Sequence, residues 1–162
     1  MSHFSDKIDE YFSVSPDKIA GFFKEYRFLS NYHGCPVKHN GVLYTSSEAA
    51  YQAAKSLDPE VHKRFASLTA NDSKKQGQTL NIRADWDHVK YGIMFEILHS
   101  KFTLNPDLKE LLMATGDRYL EETNHWGDTY WGVDCSSGKG QNQLGAALMN
   151  LRTLFRLPQR AH

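Results

Sequence analysis

The chain lacks the features that mark secreted proteins, membrane proteins and proteins that bind nucleic acid by overall charge. Its only two cysteines, Cys35 and Cys135, are too few for a disulfide framework. No apolar run approaches the roughly 20 residues that a membrane-spanning helix needs. The 19 basic and 19 acidic residues cancel to a formal net charge of zero, so no overall field attracts a polyanion or an anionic lipid. Since no signal peptide is recognisable either, we expect a cytoplasmic protein that does not bind membranes.

Signatures of metal and nucleotide cofactor sites are missing as well. Neither C-x-x-C nor H-E-x-x-H occurs, and the spacing of His33, Cys35 and His39 matches no zinc pattern. The Walker A and G-x-G-x-x-G spacings are absent. A Ser-His-Asp triad stays open, but the G-x-S-x-G nucleophile elbow is lacking. We therefore expect no metal and no cofactor.

Most of the chain carries helix patterns. Apolar residues recur at helical spacing in two adjacent rows over residues 86–102, which predicts a central, largely buried helix. A second apolar pattern predicts a helix from about 143 to 157. A short polar helix is expected within 71–80, ending near Gly77. Cap residues followed by proline at 58–59 and 105–106 mark two more helix starts. In the second of these helices, Leu108, Leu111 and Leu112 are expected to face the core. The pattern predicts a mainly α, single-domain multi-helix bundle.

The remaining segments predict turns, a small β element and chain ends. Asn40-Gly41 between short apolar segments is typical of a β-hairpin. Residues 117–143 are rich in glycine, aspartate, asparagine and aromatic residues, so we expect an irregular loop, and long ordered loops are often functional. We expect an N-terminal extension over 1–18, the folded domain over 19–157 and a C-terminal tail over 158–162.

The most informative stretch is LYTSSEAAYQAAKSL, residues 43–57. Thr45 and Glu48 have the spacing of a capping box, so a helix should begin near Ser46 or Ser47. Alanines fall on one side of this helix, and a polar stripe on another side consists of Glu48, Tyr51, Gln52 and Lys55. Glu48 and Lys55 lie about 10 Å apart along the axis, so one sugar or nucleotide would reach both. The alternative is a solvated face whose charges only aid solubility.

Aromatic residues and carboxylates crowd the polar loop before the last helix. Large aromatic side chains there suit stacking on a flat ring, and nearby carboxylates suit stabilisation of cationic charge or activation of water. The glycine-rich turn at 138–142 is typical of phosphate binding by backbone N–H groups. The alternative is that tryptophans fill the core and glycines make turns. Arg27, just before Ser30 and Asn31, either binds phosphate bidentately or braces an acidic side chain.

Together these segments resemble the YbiA-like family, also called the NADAR (NAD and ADP-ribose) family. The matching pieces are YRFLSNY at 26–32, GVLYTSSEAAYQAAK at 41–55, KYGIMFEILHSKF at 90–102, ATGDRYLEET at 114–123, and DTYWG with GKGQNQLGAALMNLR within 128–152. They run in the family's order over nearly all of the chain from Gly21 to Arg152. Ala49 replaces an expected histidine, and the NHWG approach to Asp128 is unusual, but neither removes a candidate catalytic group.

The resemblance implies a YbiA-like fold and metal-independent hydrolysis of N-glycosidic bonds. One branch of the family cleaves early riboflavin-pathway intermediates, the ribosylaminouracil phosphates, and another removes ADP-ribose from guanine bases of nucleic acid. The implied catalytic residues are Glu48, Lys55, Glu122 and Asp128. The implied substrate-binding residues are Arg27, Ser30, Asn31, Tyr51, Gln52, Glu121, Trp126, Trp131, Gly132, Lys139 and Asn142.

The chemistry of N-glycoside cleavage gives these residues roles. Departure of the base passes through an oxocarbenium-like state, which needs negative charge near C1′, a proton for the base, and a water or nucleophile. Lys55 either attacks C1′ of an opened ribose as a neutral amine, forming a Schiff base, or stays charged and holds a phosphate. Neutral net charge slightly favours a small nucleotide-like substrate over ADP-ribosylated DNA. A non-catalytic NAD- or ADP-ribose-binding module and a helical interaction domain are the other classes, and the oligomeric state is open.

Overall fold

The computed structural model describes residues 12–158. Most of the extension predicted over 1–18 and most of the tail predicted over 158–162 therefore lie outside the described residues. The elements within that range are strands β1 (Ser13–Val14) and β2 (Lys18–Ala20), a 3₁₀ helix (Lys24–Leu29), β3 (Gly34–His39), β4 (Val42–Ser46), α1 (Ser47–Ala54), α2 (Pro59–Phe65), α3 (Ala70–Gly77), α4 (Trp86–Leu104), α5 (Pro106–Ala114), β5 (Tyr119–Glu121), β6 (Thr123–Asn124), β7 (Val133–Asp134) and α6 (Gln143–Arg156). The fold is mainly α with small sheets, as predicted.

The chain divides into two compact units. One is the central segment Asn31–Glu110. The other is formed by the two flanking segments, which end at Ser30 and begin at Leu111. No helix among residues 12–158 is long and apolar enough to cross a membrane.

The predicted hairpin is confirmed in the central segment. Strands β3 and β4 pair antiparallel, with His39 opposite Val42. The two turn residues, Asn40 and Gly41, have φ values of 49° and 81°. These positive values give the two-residue turn that matches the twist of the strands and that Asn-Gly adopts most readily.

Helix α1 begins at Ser47 as predicted, but its cap is Ser46 rather than Thr45. The Ser46 hydroxyl oxygen accepts a hydrogen bond from the N–H of Ala49 at 3.1 Å. The Thr45 hydroxyl instead donates to the carbonyl of Leu68 at 2.5 Å. Thr45 lies in the exposed register of β4, so its side chain cannot reach the first turn of the helix, and the predicted capping box does not form.

The solvated-face interpretation of α1 is wrong, because every residue of this helix is buried. Glu48 is 7% exposed and Gln52 is 5% exposed, although both are polar. The helix packs against α2, α3, α4 and both hairpin strands. Polar side chains are rarely buried to this extent unless they are paired or functional, so the stripe needs a chemical explanation.

The other helix signals are confirmed with small corrections. The Asp58 carboxylate accepts from the N–H of Glu60 at 2.9 Å, and Pro59 is the first residue of α2. Helix α3 ends at Gly77, as predicted. Leu111 of α5 was expected to face the core, yet it is 47% exposed.

Helix α4 is the predicted central helix, with one residue that its apolar pattern did not reveal. Met94, Ile97 and Leu98 are fully buried. Lys101, in the last turn, is fully buried too. Burial lowers the pKa of the Lys101 ammonium to about 8, and the negative charge of a nearby Cys35 thiolate opposes part of this effect.

The flanking segments contain more strand than the sequence indicated. β2 pairs antiparallel with β1 and parallel with β5, where Ile19 lies opposite Leu120. β6 and β7 pair parallel. Residues 117–143 are therefore not wholly irregular, because β5, β6 and β7 lie within them. Helix α6 begins at Gln143 as predicted.

Candidate active site

Helix α1 brings a carboxylate and an amide into direct contact. Nε2 of Gln52 donates to Oε1 of Glu48 at 2.8 Å. The backbone N–H of Glu48 donates to the carbonyl of Asn31 at 3.0 Å. Glu48 also lies in the first turn of the helix, where the helix dipole favours negative charge. The structure thus brings Asn31, Glu48 and Gln52 together.

The side chain of Asn31 keeps an acceptor available in this region. Its Oδ1 is buried and accepts no hydrogen bond from any residue within 12–158. Its Nδ2 faces the sulfur of Met94 at 3.6 Å, which is a weak interaction. A buried acceptor of this kind suits a ligand that brings a hydroxyl or an amine.

Lys55 follows the last residue of α1 and is partly buried. Its Nζ lies 5.5 Å from the centroid of the Tyr51 ring, and the Tyr51 ring packs against Trp86 with centroids 5.1 Å apart. Within residues 12–158 Lys55 forms no ion pair. Burial lowers the pKa of Lys55, the Glu48 carboxylate opposes this effect, and the charges of Lys74 and Lys90 lower the pKa further. The arrangement therefore increases the share of neutral, nucleophilic amine.

In the flanking segments, Asp128 braces its own loop. One carboxylate oxygen, Oδ1, accepts from the N–H groups of Tyr130 at 3.1 Å and Trp131 at 2.9 Å. Asn124, which is fully buried, holds the backbone of Asp128 through hydrogen bonds at 2.9 and 3.0 Å. The loop conformation therefore depends on Asn124 and Asp128 together.

The two neighbouring glutamates have different surroundings. Glu121 pairs with Lys18 at 3.1 Å and accepts from the Thr123 hydroxyl at 2.6 Å, so its carboxylate is engaged beside the β1–β2–β5 sheet. The carboxylate of Glu122 lies against Gly132, where an added Cβ would come within 2.7 Å of Oε2. Gly132 is therefore needed for close approach of the backbone to Glu122, which explains the glycine without a substrate contact.

Asn142 is buried and uses its side chain within the protein. Its Oδ1 accepts from the N–H of Glu122 at 2.9 Å, and its Nδ2 donates to the Tyr119 hydroxyl at 3.1 Å and the Leu120 carbonyl at 2.9 Å. Its φ of 52° is in the left-handed region, which asparagine tolerates better than most residues. Asn142 therefore anchors the start of α6 to β5, and both amide hydrogens are already used.

The exposed candidates lie on the loop and at the 3₁₀ helix. Trp126 is 49% exposed and contacts His125 edge-on, with ring centroids 5.0 Å apart. Trp126 is therefore not a core residue, which excludes the core-filling alternative for this tryptophan. Arg27 and Lys139 are exposed and form no ion pair with any residue in the described part of the chain.

The predicted site residues fall into two groups, one in each unit. The central segment contains Asn31, Glu48, Tyr51, Gln52 and Lys55, which we name the α1 cluster. The flanking segments contain Arg27, Ser30, Glu121, Glu122, Trp126, Asp128, Trp131, Gly132, Lys139 and Asn142. Over residues 12–158, no three or more His, Cys, Asp or Glu side chains are grouped so that they could hold a metal ion.

Comparison with known proteins decides the family. The profile of the NADAR domain matches residues 11–156. The chain belongs to the NADAR family. N-glycosidase YbiA of Shigella boydii is 34% identical over 145 residues, which cover 86% of this chain and 89% of that protein. A riboflavin biosynthesis protein of Vibrio vulnificus is 34% identical over 142 residues, covering 85% of this chain but 36% of its own length.

A solved structure also matches. The NMR structure of YbiA from Escherichia coli aligns with a TM-score of 0.77 at 28% identity, covering 94% of this chain and 95% of that one. The similarity confirms the family resemblance and the mainly α fold expected from it.

Three residues contact candidate site residues in a way that their sequence signals did not reveal. Trp86 matched the apolar pattern of α4, yet it also packs on Tyr51. Asn124 stood out only as an unusual residue before the loop, although it holds Asp128. Gly77 marked a helix end, but an added Cβ there would overlap Gln52. The spacing of residues along one helix does not indicate where another helix approaches it closely.

Proposed function

We propose that this NADAR protein hydrolyses the N-glycosidic bond of a small phosphoribosylated base of the ribosylaminouracil phosphate type. The α1 cluster carries the proposal, because it places a buried carboxylate held by Gln52 on the same helix face as the desolvated Lys55. Relatives that match most of the chain are named N-glycosidases, and this chain is accordingly a hydrolase of N-glycosyl bonds. The similar Vibrio vulnificus protein named for riboflavin biosynthesis supports the substrate class.

Glu48 supplies the negative charge that the reaction requires. As the base departs, positive charge develops at C1′ and on the ring oxygen. Glu48 is 7% exposed, so its carboxylate faces little screening by water and stabilises that charge more strongly than an exposed carboxylate would. The N–H of Gln52 and the helix N-terminus orient this carboxylate before substrate arrives.

Lys55 supplies a nucleophile in the covalent form of the mechanism. Protonation of the ring oxygen opens the ribose and leaves an iminium between C1′ and the base nitrogen. The neutral Nζ adds to C1′, the base departs with a proton, and a Schiff base remains between C1′ and Nζ. One water then adds to C1′ and expels the amine, so base and ribose phosphate are released and Lys55 is restored. The lowered pKa of Lys55 supports this form; a charged Lys55 that binds phosphate is the alternative.

For the residues of the flanking segments we propose the roles that the sequence analysis predicted. Glu122 or Asp128 provides the proton for the departing base, and Trp126 and Trp131 stack on a ring. Arg27, Ser30 and Lys139 bind phosphate and ribose. The engaged carboxylate of Glu121 and the fully used amide of Asn142 favour supporting roles for these two residues.

The proposal is tested by offering two substrates in parallel and analysing the products by mass spectrometry. One substrate is 5-amino-6-ribosylaminouracil phosphate, and the other is an oligonucleotide with ADP-ribosylated guanine. Each is treated with wild type and with Glu48→Gln. Glu60→Gln is the matched control, because Glu60 is an exposed glutamate in the first turn of α2.

Release of ribose phosphate from the first substrate is expected with wild type and Glu60→Gln and not with Glu48→Gln. Release of ADP-ribose from the second substrate alone would instead make the protein a reversal enzyme for nucleic-acid ADP-ribosylation. If neither substrate is cleaved while ADP-ribose binds, the protein is a binding module and the proposal is refuted.

A further inference from the structure

We infer that Gly77 is a positioning residue for Glu48 and that it acts through the side chain of Gln52. The inference rests on the proposed function for its catalytic consequence, since Glu48 is the anionic group there. Gly77 is the last residue of α3, and α3 packs against α1. No motif or charge at position 77 suggested this role.

The glycine at 77 is required by space and not by backbone conformation. Its φ is not in the left-handed region, so any residue would fit the backbone. An added Cβ, however, would overlap Oε1 of Gln52 and lie 2.8 Å from its Cδ. Because Gln52 is 5% exposed, its amide has little room to move aside. A side chain larger than hydrogen at position 77 would therefore have to displace the Gln52 amide.

The amide of Gln52 is confined at both ends. Its Nε2 donates to Oε1 of Glu48 at 2.8 Å. Its own Oε1 is buried, accepts no conventional hydrogen bond from the residues at 12–158, and faces the Cα of Gly77. A Cα–H group is a weak donor to such an oxygen. Reversal of the amide would set its oxygen against the Glu48 carboxylate, so the carboxylate determines that the N–H end faces it. The bare Cα of Gly77 leaves room for the amide oxygen at the other end.

A methyl group at position 77 is expected to displace the amide and weaken its hydrogen bond to Glu48. The carboxylate would then lose a donor that holds it in place and stabilises its charge. A hydrogen bond to a charged group has an effect on the order of tenfold to a hundredfold on a rate. We expect that loss in kcat with KM changed by less than about threefold, because substrate contacts elsewhere are untouched.

The experiment measures kcat and KM across pH for wild type, Gly77→Ala, Gln52→Ala and the double variant. Gly77→Ala is expected to lower kcat and to shift the acid side of its pH profile. In the Gln52→Ala background the same change should have little further effect, because the overlap with Oε1 and Cδ is gone and only the contact with Cβ at 3.3 Å remains. Gly92→Ala is the matched control: Gly92 lies within a helix, and nothing stands within 4 Å of an added Cβ. Equal losses from Gly77→Ala in both backgrounds, or no loss in either, would overturn the inference.

Two further measurements keep the test decisive. Gln52→Met preserves most of the packing but donates no hydrogen bond to Glu48, so its kcat should fall by the factor expected for Gly77→Ala. This variant tests the hydrogen bond even if Gly77→Ala does not fold. The side-chain amide signal of Gln52, recorded by ¹H–¹⁵N NMR without substrate, should shift in Gly77→Ala and stay in Gly92→Ala. A shifted signal in a protein that cleaves no N-glycoside would contradict the proposed function alone. An unshifted signal in an active enzyme would contradict the role of Gly77 alone.

Discussion

Asn142 was predicted to bind substrate, but its contacts indicate that it stabilises the fold, and a substitution separates the two roles. Asn142→Ala removes three hydrogen bonds: one from the N–H of Glu122, one to the Tyr119 hydroxyl and one to the Leu120 carbonyl. Each neutral hydrogen bond contributes about 0.5–1.5 kcal/mol net, so their loss lowers the free energy of unfolding by about 2–4 kcal/mol. Alanine at a φ of 52° adds roughly 1 kcal/mol.

Asn142→Gly isolates the hydrogen bonds, because glycine adopts this φ without strain. We expect it to be destabilised by about 2–4 kcal/mol, and Asn142→Ala by about 1 kcal/mol more. In a protein of this length each kcal/mol shifts Tm by about 2–4 °C, so Tm should fall by roughly 4–16 °C in Asn142→Gly and roughly 6–20 °C in Asn142→Ala. Gln141→Ala is the control, since Gln141 is the exposed neighbouring residue.

The assay combines urea unfolding, followed by circular dichroism, with steady-state kinetics at a temperature where every variant is folded. KM should remain within about twofold of wild type while stability falls. A loss of stability below about 1 kcal/mol together with a tenfold rise in KM would refute the reasoning. Such a result would show that Asn142 contacts substrate and that its hydrogen bonds contribute little to folding.

Three further predictions follow from charge and chemistry. Sodium borohydride added during turnover should reduce the Schiff base and leave the sugar covalently linked to Lys55. Near-normal activity of Lys55→Ala would rule out the Schiff base. Because burial lowers the pKa of Lys55, activity should fall only as pH drops through that lowered value. The folded-state pKa of Lys101, about 8 against an ordinary 10.5, means that the folded protein binds fewer protons between these values. Stability to urea should therefore rise with pH over that window, and this rise should vanish in Lys101→Met. Dialysis against EDTA should leave the rate unchanged, because the proposed mechanism uses Glu48 and Lys55 and no metal ion; a loss restored by zinc would contradict this.

Local sequence signals predicted those elements whose geometry is determined by neighbouring residues. Asn40-Gly41 specified its hairpin and Asp58-Pro59 its helix start, since in each case the residues that form the turn or cap are adjacent in sequence. The short strands were missed because their pairing joins distant residues, as where Ile19 lies opposite Leu120. Residue spacing also does not distinguish between adjacent hydroxyl residues as helix caps. Thr45 was therefore predicted to cap α1, although Ser46 caps it.

The composition of the α1 cluster was predicted, but its environment was not. A stripe of Glu48, Gln52 and Lys55 has the same spacing on a solvated helix as on a buried one. What makes it a candidate active site is the surrounding protein, which removes water and lowers the pKa of Lys55. The role of Gly77 could not be predicted from sequence for the same reason, because it depends on contact with Gln52 of another helix.

The complete burial of α1 limits how this enzyme can evolve. Ala49, Ala50 and Ala53 have no exposed surface, so a larger residue at any of them would disturb the core. Because the proposed catalytic groups belong to the same helix, mutations there alter folding and chemistry together, and few would be accepted. We expect relatives with new substrates to differ mainly in the loop that holds Trp126 and Lys139, where exposed positions can change without loss of the fold.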